Sequence, residues 1–286
     1  MKARLLEILQ CERCGGELES RPESLVCRHC GGAVPLEGGI PIFTPPPPGL
    51  RPSEKIARSP DAGTPWRQAN WRFLENQAAR LDPHAVILDV GAGRGDFADL
   101  FKGFPSYLAL DIYPYPELDI VCDLSCKNPF RPGSLDTVVL MNVLEHVYDA
   151  RALLASLSEL LEPGGTLIVA VPFLVKMHQV PVDFTRYTHY ALQRLGPDHG
   201  LEVAHLEGFY DPVSVLAEGN GNLRNAVLPN MRGTRRYAAR LLAAGLQVSA
   251  SLLRRVLGPG ETAPPASVRS QAPTGYHVVY RKNHSG

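Results

Sequence analysis

Val86-Ile87-Leu88-Asp89-Val90-Gly91-Ala92-Gly93-Arg94-Gly95-Asp96-Phe97 is the stretch on which the fold turns. It opens on an apolar run broken only by Asp89, the pattern of a parallel strand buried on both faces. Gly91, Gly93 and Gly95 then remove side chains where the backbone must bend sharply and approach a ligand. A helix is expected over Arg94–Gly103, with its free N–H groups aimed at that ligand. The next apolar run, Tyr107–Leu110, ends in Asp111. An acid about twenty residues beyond such glycines can accept both hydroxyls of a ribose; alternatively it caps a turn.

Glycine-rich strand-to-helix turns serve several nucleotide-binding folds. The spacing here is Asp-x-Gly-x-Gly-x-Gly, and Ile87–Phe97 resembles motif I of the class I S-adenosylmethionine-dependent methyltransferases. Charge separates the readings. A dinucleotide pyrophosphate wants bare N–H donors, whereas a cationic sulfonium and ammonium favour an acid such as Asp89. The resemblance implies that Asp89, Gly91, Gly93 and Asp111 bind the methyl donor, with Ile112 beside them. It further implies a third strand, Leu118–Cys122, ending at Asp123 and Leu124. There Asp123 would accept from the adenine amine and Leu124 would lie against the ring.

A fourth strand is expected over Leu135–Met141. It ends in Asn142-Val143-Leu144-Glu145-His146-Val147, which resembles the post-strand motif of many small-molecule and isoprenoid-quinone methyltransferases. The resemblance places Asn142 with the donor and makes His146 a candidate for chemistry. Glu145 and His146 can equally be a helix-start acid and a surface histidine. The Asn/Asp-Pro-Pro-Tyr/Phe sequence of base-amine and glutamine methylation is missing, which argues against those acceptors. Asp149–Leu161 reads as an amphipathic helix stopped by Pro163-Gly164-Gly165, and Thr166–Val171 as the fifth strand. Pro172–Tyr187 follows, over the carboxyl ends of the strands, where open α/β sheets bind ligands. It carries His178, Asp183, Arg186 and Tyr187 among apolar residues, a composition suited to an acceptor pocket. His178 can act as general base and Arg186 can hold a carboxylate or phosphate. The structural alternative is an Asp183–Arg186 ion pair that folds the loop.

Thr188–Leu195 reads as a helix, Leu201–Phe209 as a sixth strand and Gly275–Arg281 as a closing antiparallel one. The whole is an α/β fold with a doubly wound, mostly parallel seven-stranded sheet. Residues 210–274 form an insertion. Gly219–Asn230 reads as a polar loop, and Arg232–Leu257 as a long helix with basic ends and an apolar middle. Such a helix suits a homo-oligomer or lid, peripheral membrane contact, or packing on another module. Gly258–Pro273, rich in Pro, Ser and Ala, is expected to be mobile.

Upstream, Cys11-x-x-Cys14 and Cys27-x-x-Cys30 are separated by twelve residues, and each pair is followed by Gly-Gly. Paired knuckles of this kind point to a tetrahedral structural zinc site; the alternative is two redox dithiols, which the paired repeat with glycines fits less well. With four thiolates filling the shell, no position stays open for catalysis. Leu5–Phe43 resembles the small zinc-ribbon activator subunit of tRNA, rRNA and translation-factor methyltransferases. The expected organisation is a ribbon over residues 1–44, a Pro-rich linker over 45–65, and the methyltransferase domain over 66–286, opened by a helix at Trp66–Leu81.

Lys and Arg total 29, as do Asp and Glu, so the formal net charge is zero. That disfavours nucleic acid as the main partner. Met1–Gln10 carries Glu7 and does not resemble a signal peptide, so a cytoplasmic location is expected. The combined expectation is methyl transfer from S-adenosylmethionine to a small or medium-sized biosynthetic acceptor. An RNA or translation-factor methyltransferase and a non-enzymatic scaffold are the rival readings.

Overall fold

The computed structural model describes residues 2–48, 58–257 and 273–284. Parts of the expected linker (49–57) and of the Pro/Ser/Ala-rich segment (258–272) lie outside the described residues.

The central sheet is built on β5 (Ile87–Val90), whose four residues are all buried. It is flanked by β6 (Tyr107–Asp111) and β7 (Ile120–Val121) on one side. On the other side lie β8 (Leu135–Met141), β9 (Leu161–Pro172), β11 (Gly275–Lys282) and β10 (Leu201–Phe209). The seven-stranded order is β10-β11-β9-β8-β5-β6-β7. The pairings from β7 to β9 are parallel; β11 runs antiparallel to both its neighbours. The chain leaves β5 in one direction and returns to its other side, so the switch point lies between β5 and β8 at the carboxyl ends of the strands.

The two-residue period of the strands sorts their side chains into two layers. Leu88 and Val90 pack with Leu153, Leu154 and Leu157 of α3 (Ala150–Leu160) and with Leu192 of α4 (His189–Leu195). Ile87 packs on the opposite face with Trp71, Phe73 and Leu74 of α2 (Pro65–Ala78). Thr64 starts α2 by accepting from the Arg67 N–H at 3.2 Å, with Pro65 in the first turn, where its missing N–H costs nothing.

Two expectations fail. The helix over Arg94–Gly103 is a single 3₁₀ turn, Ala98–Phe101. Gly95 is left-handed at φ +76°, and Gly103 follows only eight positions later. The left-handed turn at Gly95 carries the chain out of helical geometry, which begins only at Ala98. Gly219–Asn230 is helical where a loop was expected. Asp211 caps α5 (Pro212–Asn222) by accepting from the Ser214 N–H at 3.1 Å, and helical turns continue to Asn230. The buried Asn220 amide nitrogen donates to the Ala243 carbonyl of α6 (Gly233–Leu257) at 3.0 Å, which ties this stretch to α6. Helix α6 packs on α5 through Ala243 and Ala250 and exposes Leu241, Leu242, Leu246, Leu252 and Val256. Among the described residues no helix is long and apolar enough to cross a membrane.

The N-terminal segment holds α1 (Ala3–Ile8) and a four-stranded antiparallel sheet: β1 (Leu18–Ser20), β2 (Ser24–Cys27), β3 (Ala33–Glu37) and β4 (Ile40–Pro41). It is joined to the larger sheet. Ile42 bridges to Val121 of β7 and Leu9 to Phe130, while the Phe43 N–H donates to the Val121 carbonyl at 2.9 Å. Leu5, Leu9 and Leu25 are fully buried in the same cluster as Leu108, Ile120 and Phe130. Each such leucine contributes about 1.5–3 kcal/mol. The ribbon thereby covers the β7 edge, which otherwise would present unpaired backbone groups.

Candidate functional site

The glycine bend at the tip of β5 is held from behind. The Gly91 and Ala92 N–H groups donate to the Leu110 carbonyl at 2.8 and 3.0 Å. Gly91 (φ +73°) lies so close to the loop after β8 that a β-carbon would come within 2.3 Å of Val143 Cγ2. Gly93 (φ +55°) faces open space, with nothing within 4 Å of an added β-carbon. Its N–H donates to Asp111 Oδ2 at 2.9 Å, and the Tyr113 N–H donates to Oδ1 at 3.0 Å. Asp111 is 9% exposed. Burial raises its carboxyl pKa, against the pull of the Tyr113 and Gly93 N–H groups.

Asp89 is sealed more deeply, at 2% exposure. The Tyr107 hydroxyl donates to its Oδ2 at 2.8 Å. Burial pushes its carboxyl up to about 7; the Tyr107 bond opposes this, and the charges of Asp111 and Asp96 add to it. The two acids expected to work together are therefore electrostatic neighbours in different surroundings. Asp111 braces the bend, while Asp89 lies beneath it.

Around the bend, Ile112 is half-buried and Leu124 is buried. Asp123 Oδ1 accepts from the Ser125 N–H at 2.9 Å and hydroxyl at 2.6 Å, and the Asp123 N–H donates to Thr44 of the ribbon at 2.8 Å. Asn142 is left-handed at φ +55°. Its Oδ1 accepts from Trp66 Nε1 at 2.8 Å and Asn70 Nδ2 at 3.3 Å. Asn70 Oδ1 in turn faces His277 Nε2 at 2.8 Å. Sequence reading missed this polar chain from α2 through β11, because its members lie 72 to 207 positions apart. The Tyr107–Asp89 bond escaped it for a similar reason.

Beyond Asn142, a short turn, Leu144–His146, presents Glu145 and His146 to the loop after β9. That loop folds back onto the turn, with the Phe184 N–H donating to the Glu145 carbonyl at 2.9 Å. It brings His178 Nε2 to 3.1 Å from His146 Nε2. Glu145 Oε1 is 3.6 Å from the His146 Nε2 and 3.7 Å from the His178 Nε2. Glu145 is fully buried, and neither of its carboxylate oxygens has a hydrogen-bond partner.

The other loop residues are occupied. Arg186 forms a two-pronged ion pair with Asp183, Nη2 lying 2.7 Å from Oδ2, and also donates to the Val175 and Lys176 carbonyls. Arg186 holds the Asp183 carboxyl down at about 2. The expected acceptor-binding fork is thus already filled within the loop, which is the structural alternative. Tyr187 is buried, and its hydroxyl donates to the Leu144 carbonyl at 3.4 Å.

In the ribbon, Cys11, Cys14, Cys27 and Cys30 bring their sulfurs within 4.8 Å of one another. Cys11–Cys30 and Cys14–Cys27 sulfurs are 3.6 and 3.5 Å apart, close to the edge of a tetrahedron with metal–sulfur bonds of about 2.3 Å. The N–H groups of His29 and Cys30 point at Cys27 Sγ. A β-carbon on Gly16 would come within 3.1 Å of Cys27 Sγ, so the first Gly-Gly pair makes room for the cluster. A cavity of about 710 Å³ lies between α2 and the β10–β11 face, lined by Phe73, Arg80, His205, Arg281 and His277 of the polar chain, and by none of the expected site residues.

This fold, with its glycine bend at the switch point, is the class I methyltransferase architecture. A family model described as a methyltransferase domain matches residues 66–206. The chain is 43% identical over 179 residues to a ubiquinone biosynthesis O-methyltransferase of Xanthomonas euvesicatoria pv. vesicatoria, covering 54% of this chain and 67% of that one. It therefore belongs to the methyltransferase family. It is 34% identical over 129 residues to the protein of the same description from Xanthomonas campestris pv. campestris, covering 39% of this chain and 51% of that one. The chain thus spans about half the length of that relative. A SAM-dependent methyltransferase from Archaeoglobus fulgidus superposes with a TM-score of 0.46 at 15% identity, over 76% of this chain and 94% of that one.

Proposed function

We propose that this protein transfers a methyl group from S-adenosylmethionine to a hydroxyl of a small biosynthetic acceptor. The observation that carries this reading is the bend at Gly93. Its backbone faces open space, and beside it stands Asp111, a carboxylate braced by two N–H groups. The donor would be held by Asp111 through its ribose hydroxyls and by Asp123, Ile112 and Leu124 around its adenine, with Asp89 beneath the bend near its cationic end. Once bound, it supplies an electrophilic methyl group on a sulfonium. The chain's own work is to align the acceptor oxygen, exclude water and remove the hydroxyl proton. We place that proton removal at the Glu145–His146–His178 cluster, which Val143 joins directly to the bend. The O-methyltransferase relatives and the zero net charge support a small-molecule acceptor over nucleic acid.

The four cysteines would hold one structural zinc ion, and their separations fit it. Incubating the protein with donor and a small-molecule extract of the producing cell tests the reading. At least one hydroxylated compound should gain the mass of one CH₂. A donor that binds but labels only RNA or protein would overturn the acceptor class.

A further inference from the structure

Glu145 is fully buried with no hydrogen bond to its carboxylate, and the groups that face it are two imidazoles, 3.6 and 3.7 Å away. Burying an ionised carboxylate without hydrogen bonds is costly, so the groups that face it decide what the cluster holds. His146 Nδ1 is 2.6 Å from the Val182 carbonyl, which can only accept, so that nitrogen carries the proton. His178 Nδ1 faces the Lys176 carbonyl at 3.3 Å and Asp183 Oδ2 at 3.3 Å, again acceptors only. In the neutral rings both Nε2 atoms are then bare lone pairs. They lie 3.1 Å apart and point at the same carboxylate oxygen. Three electron-rich atoms, all within 4.8 Å of one another, converge on one point with no donor between them.

We infer that Glu145, His146 and His178 form a binding site for one divalent transition-metal cation. Two imidazoles and one carboxylate, with further positions open, are the donor set of such ions. The outer contacts match as well. Metal-bound histidines donate their other ring N–H to a backbone carbonyl or a carboxylate, as His146 does to Val182 and as His178 can to Lys176 or Asp183. Asp183 is itself fixed by Arg186, so the ion pair in the loop orients a ligand instead of holding an acceptor. The site is distinct from the four-cysteine cluster, whose sulfur shell is closed.

For its catalytic role the cation rests on the function proposed above. It would ligate the acceptor hydroxyl and make its proton easier to lose, as bound cations do for water. This refines the proton removal placed at the cluster: with both Nε2 lone pairs bound to the cation, the imidazoles no longer accept the proton, which leaves to a buffer base in solvent. The oxygen pair forms the new O–C bond as the C–S bond breaks, and that pair returns to sulfur. The cation keeps its oxidation state throughout.

The test is titration of the zinc-loaded full-length protein with Co²⁺, without donor or acceptor, followed by visible absorption. One Co²⁺ should bind per chain with a ligand-field spectrum free of thiolate charge transfer. Glu145→Gln and His178→Ala should each weaken it by at least about tenfold, with circular dichroism unchanged. Absence of Co²⁺ binding to the wild-type protein would overturn the proposal, as would wild-type affinity in both variants. So would an NMR spectrum with His178 protonated on both nitrogens in the presence of excess Co²⁺, which would make the cluster a proton-sharing pair. Donor binding, measured separately by calorimetry, does not depend on these ligands, so failure of the metal site and failure of the methyltransferase reading are distinguishable.

Discussion

Asp89 shows how one residue can be conspicuous in sequence and yet hide its circumstances. Its place at the end of an apolar run was legible; the Tyr107 hydroxyl that meets it 18 positions later was not. With its carboxyl raised to about 7 from an ordinary 3.8, the folded state holds a proton that the unfolded state releases. Stability from this group is therefore complete below pH about 4 and is lost as pH rises to about 7. Urea unfolding of the wild type across that window should fall relative to Asp89→Asn by a few kcal/mol. Parallel curves would contradict the burial described for Asp89. Gly91 gives a second residue-level expectation. Gly91→Ala should lose about 2–4 kcal/mol, from left-handed strain and the overlap with Val143. Adding Val143→Ala should recover only part, since the strain remains; thermal melts of the two variants read the difference.

At the scale of elements, apolar runs were enough to find β5, β6, β8 and β9, because parallel strands buried on both faces leave a continuous hydrophobic signature. The paired cysteines identified the ribbon equally well. Where the sequence misled, the competing forces were local. The left-handed Gly95 delays the helix expected after the bend, and the Asp211 cap turns a glycine- and asparagine-rich stretch into α5. Contacts between distant elements left no local trace. Asn70 joins α2 to both Asn142 and His277. Asn70→Ala should cost about 1–3 kcal/mol by leaving buried polar groups unpaired, and should loosen the β8 tip. Amide hydrogen exchange at Asn142 and Val143 would report that loosening directly. The candidate site was readable as a set of residue types in two loops. The choice of the Asp183–Arg186 ion pair over an acceptor-binding Arg186, and the placing of the buried Glu145 against two imidazoles, required the fold.

For the whole molecule, the ribbon and the larger sheet share one hydrophobic cluster, so metal in the ribbon should be felt throughout. Stripping it with a chelator should lower the melting temperature by several degrees while leaving a single transition. It should also weaken donor binding, because Asp123 is tied to Thr44 of the ribbon. Two separate transitions would show that the ribbon is an independent module.

The measurement that bears most directly on the bend as a donor site is calorimetric titration of the zinc-loaded protein with S-adenosylmethionine. One donor should bind per chain, and Asp111→Ala, with its fold intact by circular dichroism, should weaken binding about tenfold or more through the lost charged hydrogen bonds. No binding by the wild type, or undiminished binding by the variant, would contradict the assignment of this bend.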